Sequence, residues 1–362
     1  MLKVCFLAGT LGQGGAERQL YYLLKTLREQ GADPRLLSLT RGEFWDERIR
    51  ELGIPVTWVG SSPSRLARLR RIIAEVRRTR PAIVQSQHSF TNLYAALAAR
   101  AAGAWEIGAI RNDAIREIND LGRIMGFLSR RLPRIMAANS RLGIRNLTAA
   151  GVDPSRLLLL RNVVDTDYFK PGERREAGPV RILAVGRMAP QKRFDRFLRI
   201  LARVAKQTSY PIEAVLAGDG PLRQGLEAQA AEMGWLKGAL AFVGNVTETR
   251  ALYHQADLLV MTSDWEGTPN VALEAMSCGL PVIATSVGDL PEIVAEGATG
   301  ALVAPEEEEL FAAKLLELIA NRAALRGMGA SAREFVVANY SLLQLPSILR
   351  QFYDQCTGAH RR

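Results

Sequence analysis

Short apolar runs alternate with amphipathic segments along almost the whole chain, and few architectures accommodate that alternation. The runs of the first half are KVCFLAG, PRLLSLT, PAIVQSQ, EIGAIR, IMAANS and RLLLLRNVVD. Between them GAERQLYYLLKTLREQG reads as a helix closed by Gly31, and NLYAALAARAAG as another. Strands alternating with helices imply parallel βαβ units and a doubly wound sheet. The segment YFKPGERREAGPV, rich in Gly, Pro and charge, reads as a linker over residues 166–179. The pattern then restarts with RILAVG, IEAVLAG, LAFVG, ADLLVMT, PVIAT and GALVAP. The expectation is an α/β chain of two Rossmann-like domains, residues 1–165 and 180–340, facing across a cleft. Ligands of such sheets bind beyond the carboxyl ends of the strands. Residues 341–362, with SLLQLPSILRQFYDQC, form a terminal helix and tail that can cross back to the first domain. A chain of 362 residues agrees with two domains.

Three widely spaced cysteines, Cys5, Cys278 and Cys356, with no CxxC pair, argue against disulfides and structural zinc and fit a reducing cytoplasm. MLKVCFLAGT lacks a cleavage site and reads as a buried strand, not a signal peptide. No apolar run approaches the ~18 residues of a membrane span. The net charge of +10 is uneven: residues 1–165 hold 26 Lys and Arg against 14 Asp and Glu, a balance of +12. The first half alone therefore carries a field that attracts anions.

The stretch SDWEGTPNVALEAMSCGLP follows the buried run ADLLVMT. Thr268 suits an N-cap and Pro269 the first helical position. The helix NVALEAMSCG then ends at Gly279. Free N–H groups at Asn270 and Val271 make its start an anion site. Glu266 precedes the helix and Glu274 lies inside it. Carboxylates accept from hydroxyls, so a phosphate site between two glutamates suits a nucleoside-diphosphate sugar. A glutamate near a helix start is also favoured by the dipole alone. Upstream, in VGRMAPQKRFDRFLRIL, Arg187 and Lys192 flank a loop at a strand's carboxyl end. Two cations there can neutralise a diphosphate and the charge on a departing nucleotide; a solvated basic turn is the plainer reading.

These pieces, VGRMAPQKRFD, LAGDGPL, FVGNV, ADLLVMTSDWEGTPNVALEAMSCGLPVIAT and GDLPEIV, resemble the retaining glycosyltransferases of family 4, with the GT-B fold. The resemblance spans residues 3 to 340 and is strongest from Val180 to Val303. It implies that Arg187 and Lys192 hold the donor diphosphate, that Glu274 binds the ribose hydroxyls, and that Glu266 contacts the donor sugar near the reacting carbon. It places the backbone of Gly267, Thr268, Pro269, Asn270 and Val271 on sugar and phosphate, and Gly244 beside the base. It implies no cofactor and no metal, since Arg and Lys take the metal's place. The one DTD sequence, Asp165 to Asp167, sits at the linker and reads as incidental.

In AGTLGQGGAERQL the third glycine of a dinucleotide fingerprint is replaced by Glu17, so that match fails. Gly14 and Gly15 instead let backbone approach a ligand, or make a tight turn. The resemblance sets them facing the donor phosphates and acceptor. His88 ends the run IVQSQHS. Family members often carry H-x-H there, at positions held here by Gln85 and Gln87. His88 is a candidate acid or base, a group that orients donor or acceptor, or a structural residue. His254 reads as structural, and His360 lies in the tail. With no evident side-chain nucleophile, the resemblance implies front-face attack with the donor phosphate as base.

PSRLARLRRIIAEVRRTRP aligns Leu66, Leu69, Ile73 and Val76 on one helical face, with Arg68, Arg71 and Arg78 among the arginines around it. GRIMGFLSRRLPR, with Arg130 and Arg131, is a second basic-apolar stretch. Both suit docking on anionic lipid, with the apolar stripe packed on the sheet and only the arginines meeting the membrane surface; nucleic acid is disfavoured because no recognition motif or stacking platform accompanies the charge. The expected activity is transfer from a UDP-sugar, or else a GDP-sugar, to a glycan or lipid-linked acceptor. The expected setting is envelope or extracellular polysaccharide (lipopolysaccharide) synthesis on the inner face of the cytoplasmic membrane. A non-catalytic nucleotide-binding scaffold and a nucleotide-sugar epimerase are the alternatives.

Overall fold

The computed structural model describes residues 1–61, 64–173, 178–234 and 239–358. Pro63, residues 174–177 of the expected linker, and His360 lie outside them. The chain forms two compact units, residues 1–162 with 343–362, and residues 163–342.

The first unit holds a seven-stranded parallel sheet in the order β3-β2-β1-β4-β5-β6-β7. Its strands are β1 (Lys3–Ala8), β2 (Asp33–Ser38), β3 (Val56–Trp58), β4 (Ile83–Ser86), β5 (Trp105–Ile110), β6 (Ile135–Ala138) and β7 (Leu157–Leu159). The second unit holds a six-stranded parallel sheet in the order β10-β9-β8-β11-β12-β13. Its strands are β8 (Val180–Val185), β9 (Ile212–Ala217), β10 (Leu240–Gly244), β11 (Leu258–Met261), β12 (Val282–Thr285) and β13 (Gly300–Val303). Helices cover both faces, so inner strands such as β1 and β11 read as continuous apolar runs rather than as alternation. In β8, Ile182 faces a core with Phe197 and Leu201, while Leu183 faces a core with Leu273 and Met276. The order reverses between β1 and β4 in one sheet and between β8 and β11 in the other. Those reversals are where open α/β sheets bind ligands.

Three expectations change. Val56–Trp58 pairs at the sheet edge beyond β2, a three-residue strand too short to announce itself. RLLLLRNVVD is divided: Leu157–Leu159 is a strand of the first unit, and Val163 and Val164 belong to the second. Much of the expected linker is packed. Phe169 is buried in the second unit's core, and the Thr166 hydroxyl lies 3.0 Å from that of Ser341. His254 holds this segment, its Nε2 lying 2.8 Å from the Lys170 carbonyl. The Asp165 carboxylate caps a local turn by accepting from the N–H groups of Asp167 and Tyr168.

The helix Leu345–Gly358 groups with the first unit. Gln30 donates to the Pro346 carbonyl at 2.9 Å, and the buried Tyr353 hydroxyl donates to Gln85 Oε1 at 2.7 Å. Tyr353→Phe leaves that buried acceptor without its donor. It is expected to lower the unfolding free energy by about 1–3 kcal/mol in chemical denaturation; an unchanged midpoint contradicts this role.

Candidate functional site

In the second unit the loops after adjacent strands are tied edge to edge by backbone bonds. Gly218 N–H donates to the Gly244 carbonyl at 2.7 Å, Gly186 N–H to Ala217 at 2.9 Å, Asp264 N–H to Gln191 at 2.9 Å and Asp289 N–H to Gly267 at 2.9 Å. Gly288 sits in the left-handed region at φ +61, and a Cβ there would press on the carbonyls of Glu266 and Gly267. Only glycine lets the β12 loop lie this close to the β11 loop.

At the β8/β11 reversal, Lys192 Nζ lies 2.5 Å from Glu266 Oε1. Glu266 is 6% exposed, accepts from Ser263 Oγ at 2.7 Å, and lies 3.4 Å from Gln191 Nε2. Below the pair, both loops are laced by charge. Arg193 occupies the left-handed region at φ 49, a conformation that costs a non-glycine residue on the order of 1 kcal/mol. Its guanidinium reaches Asp264 at 3.0 and 3.2 Å and Asp195 at 3.0 and 3.1 Å. Arg196 adds a 2.8 Å contact to Asp264. Burial opposes the Asp195 charge, but hydrogen bonds from Arg193 and Arg199 outweigh it and bring its carboxyl down to about 2. Thr262 Oγ1 bonds the carbonyls of Lys192 and Arg193, each at 3.0 Å.

The helix Asn270–Ser277 starts beside this pair. Thr268 does not cap it. Pro269 holds the N-cap position without a side-chain bond, and the Thr268 hydroxyl donates to Asp289 at 3.0 Å. The N-cap residue thus adds no side-chain bond at the helix's positive end, where Asn270 and Val271 begin the first turn. Glu274, 4% exposed, accepts from the buried Tyr253 hydroxyl at 2.9 Å. Arg187 is exposed on the β8 loop, and its side chain has no partner among the described residues. The two glutamates and Lys192 are thus gathered on one edge, and Arg187 extends from it. Sequence reading missed Ser263, Tyr253, Asp289 and the Arg193–Asp264 pair. The isolated charges in KRFDRF and SDWE were the only signal for the last.

In the first unit, Gly9 N–H donates to His88 Nδ1 at 3.1 Å, and His88 Nε2 lies 3.0 Å from Glu17 Oε1. The accepting Nδ1 puts the proton on Nε2, so both ring nitrogens are engaged inside the unit. Glu17, third residue of the helix Gly15–Glu29, folds back over its own N-cap, Gly14. A Cβ on Gly14 would collide with that carboxylate. A phosphate at this helix start would meet Glu17. The clue in the sequence was the Gly-x-x-Glu spacing of a reach-back cap.

The basic stretches separate. On the helix Arg65–Thr79, Ile72 and Val76 are the buried residues, whereas Leu66, expected on the packed face, is 57% exposed. Ile72, Ile73 and Val76 pack into the core, so Ile72 takes the place expected of Leu66. Arg68 is half-buried, Arg71 reaches Ser61, and Arg78 pairs with Glu75. On the helix Arg123–Arg131, Ile124 is 75% and Phe127 47% exposed. The guanidiniums of Arg130 and Arg131 lie 5.8 and 5.7 Å from the Phe127 ring. Among the described residues no group of three His, Cys, Asp or Glu side chains could hold a metal, and no helix is long and apolar enough to cross a membrane.

Residues 179–321 match the family model described as glycosyl transferases group 1, and residues 13–168 the model described as glycosyltransferase family 4. The sulfoquinovosyl transferase of Arabidopsis thaliana is 26% identical over 350 residues, covering 88% of this chain and 66% of the relative. The D-inositol 3-phosphate glycosyltransferase of Mycobacterium tuberculosis is 35% identical over 193 residues, 49% of this chain and 39% of the relative. The matches thus span less than two thirds of either relative's length. The solved structure of Anabaena HepE in complex with UDP-glucose overlays with a TM-score of 0.85 at 20% identity, covering 98% of this chain and 100% of that one. That likeness shows a shared fold.

The Asp195 shift has a consequence in acid. A carboxyl depressed in the folded state contributes stability above its unfolded pKa, near 4, and loses it as pH falls through about 2. Wild type is expected to lose thermal stability more steeply than Asp195→Asn across that window. Parallel slopes contradict the network.

Proposed function

We propose that this chain, which belongs to glycosyltransferase family 4 and has the two-unit Rossmann-like GT-B fold, transfers a sugar from a nucleoside diphosphate to an acceptor hydroxyl with retention of configuration. The observation that carries this reading is the Lys192–Glu266 contact at the β8/β11 reversal, beside the start of the helix Asn270–Ser277. A diphosphate takes Lys192 and the exposed Arg187. It also takes the first-turn N–H groups at Asn270 and Val271, with the backbone from Gly267 to Pro269 beside it. Glu266, released from Lys192, accepts from the sugar hydroxyls. Glu274, oriented by Tyr253, accepts from the ribose, and the base lies by Gly244. Two cations and a helix dipole do the work of a divalent metal on the leaving group. In the first unit Glu17 keeps phosphate from the helix start at Gly14 and Gly15.

In the reaction the bond from the anomeric carbon to the diphosphate oxygen breaks, and one to the acceptor oxygen forms on the same face. The acceptor's proton passes to the departing phosphate. His88, with both nitrogens engaged, orients its loop and leaves the proton to the phosphate. The UDP-glucose in the HepE structure supports UDP over GDP as the carrier.

For the acceptor we favour a lipid-linked or glycan substrate in envelope polysaccharide synthesis, reached from the inner membrane surface. Support comes from the helix Arg123–Arg131, which exposes Ile124 and Phe127 among arginines. Such a face inserts apolar side chains below anionic headgroups. The helix Arg65–Thr79 contributes Arg68, Arg71 and Arg78 as charge alone.

Two outcomes are expected. Glu274→Ala should weaken UDP binding at least tenfold in calorimetry, the loss of a buried charge-assisted bond; wild-type affinity contradicts the ribose assignment. Phe127→Asp should abolish sedimentation with phosphatidylglycerol vesicles while Leu66→Asp should not. Equal loss in both, or in neither, contradicts the docking face.

A further inference from the structure

We infer that Arg111, with Gln87, forms a subsite in the first unit for an oxyanion, a carboxylate or phosphate group carried by one of the two substrates. That a substrate carries it rests on the transferase reading; that Arg111 binds an anion does not.

Gln87 directly follows β4, Arg111 directly follows β5, and Asn139 directly follows β6, so three neighbouring strands present them side by side at the carboxyl edge. The Arg111 backbone is held on both sides. Its N–H donates to Glu117 Oε1 at 3.1 Å, and its carbonyl accepts from Asn139 at 2.9 Å. The guanidinium is steered by one long contact, Nη2 to Gln87 Oε1 at 3.3 Å. Gln87 is itself fixed by donating to the Ala16 carbonyl at 2.7 Å. Arg111 Nε is out of reach of solvent and has no partner among the described residues.

No carboxylate among the described residues is ion-paired with this guanidinium. Several other arginines are paired: Arg100 and Arg134 share Glu106, and Arg193 and Arg196 share Asp264. The neighbouring acid, Glu117, spends one oxygen on backbone and leaves the other without a partner. Burial pushes the Glu117 carboxyl up against the hydrogen bonds it accepts from Ser89 and backbone, which weakens it as a counter-charge. Burial likewise pushes the Arg111 guanidinium down to about 10. An arginine desolvated without a counter-ion is costly, and an amide oxygen at 3.3 Å does not offset the cost. An oxyanion on the two Nη groups does, through the charge-assisted hydrogen bonds guanidinium offers. The balance of +12 over residues 1–165 draws such groups in.

The test titrates inorganic phosphate into the full chain held in saturating UDP, which fills the second unit's nucleotide site. Saturable heat is expected for wild type and for Lys192→Ala, with affinity reduced at least about tenfold in Arg111→Gln. Equal affinity in wild type and Arg111→Gln, or loss in Lys192→Ala instead, overturns the subsite. Should Arg111→Gln not fold, Arg111→Lys decides. It keeps the charge and loses the fork, so a several-fold weaker affinity supports the inference and an unchanged one overturns it. The source of the anion is read from two comparisons, a UDP-uronic acid against UDP-glucose, and a phosphorylated against a neutral acceptor. One anionic member is expected to be preferred through KM rather than kcat, and the preference should collapse in Arg111→Lys. Wild type that turns over no donor contradicts the transferase reading, while the phosphate titration still judges Arg111.

Discussion

The ammonium of Lys192 against the carboxylate of Glu266, at 2.5 Å, is the contact around which the second unit's edge is organised. Neither partner is cheap to hold there. A buried ion pair gains little over apolar packing of the same volume, since both ions give up water. The chain nonetheless adds Ser263 and Gln191 to the carboxylate and laces the two supporting loops through Arg193, Asp264 and Asp195. Arg193 even accepts a left-handed backbone to reach both acids. Such support makes sense if the pair is a rehearsed state. On the proposed donor reading, each ion stands in for part of a ligand that presents negative phosphate to Lys192 and hydroxyls to Glu266. Exchange then costs little reorganisation, the condition for electrostatic preorganisation.

Much of this was legible in the sequence, for identifiable reasons. Strands of a parallel sheet are buried on both faces, so they stand out as apolar runs, and all six of the second unit were visible that way. Val56–Trp58 was not, because an edge strand of three residues has no run to show. The interdomain segment misled for the opposite reason. Its charge and glycines mark a loop, yet Phe169 inserts into a core that composition cannot reveal. Thr268 before Pro269 has the composition of a cap, but Asp289, twenty-one residues on, competes for its hydroxyl and wins. Residue types named the candidate groups, Lys192, Glu266 and Glu274, but not their tertiary partners, since partners are set by which loops meet.

The first unit shows the same division. Gly14 and Gly15 read as backbone open to a ligand, and Glu17 only as a spoiled fingerprint. The fold makes Glu17 the pivotal residue, since one carboxylate covers the helix start and fixes the imidazole of His88. Arg111 drew no notice as one arginine among many. It is conspicuous only once its neighbours are known, because a guanidinium becomes informative when its counter-charge is missing.

The central claim is that the donor replaces the Lys192–Glu266 contact with contacts of its own. A crystal structure of the chain with an unreactive UDP-sugar analogue tests it most directly. The account predicts Lys192 on the diphosphate, Glu266 on the sugar hydroxyls, Glu274 on the ribose, and the lacing of Arg193 and Asp264 unmoved. A nucleotide bound while Lys192 and Glu266 remain closed on each other would contradict it.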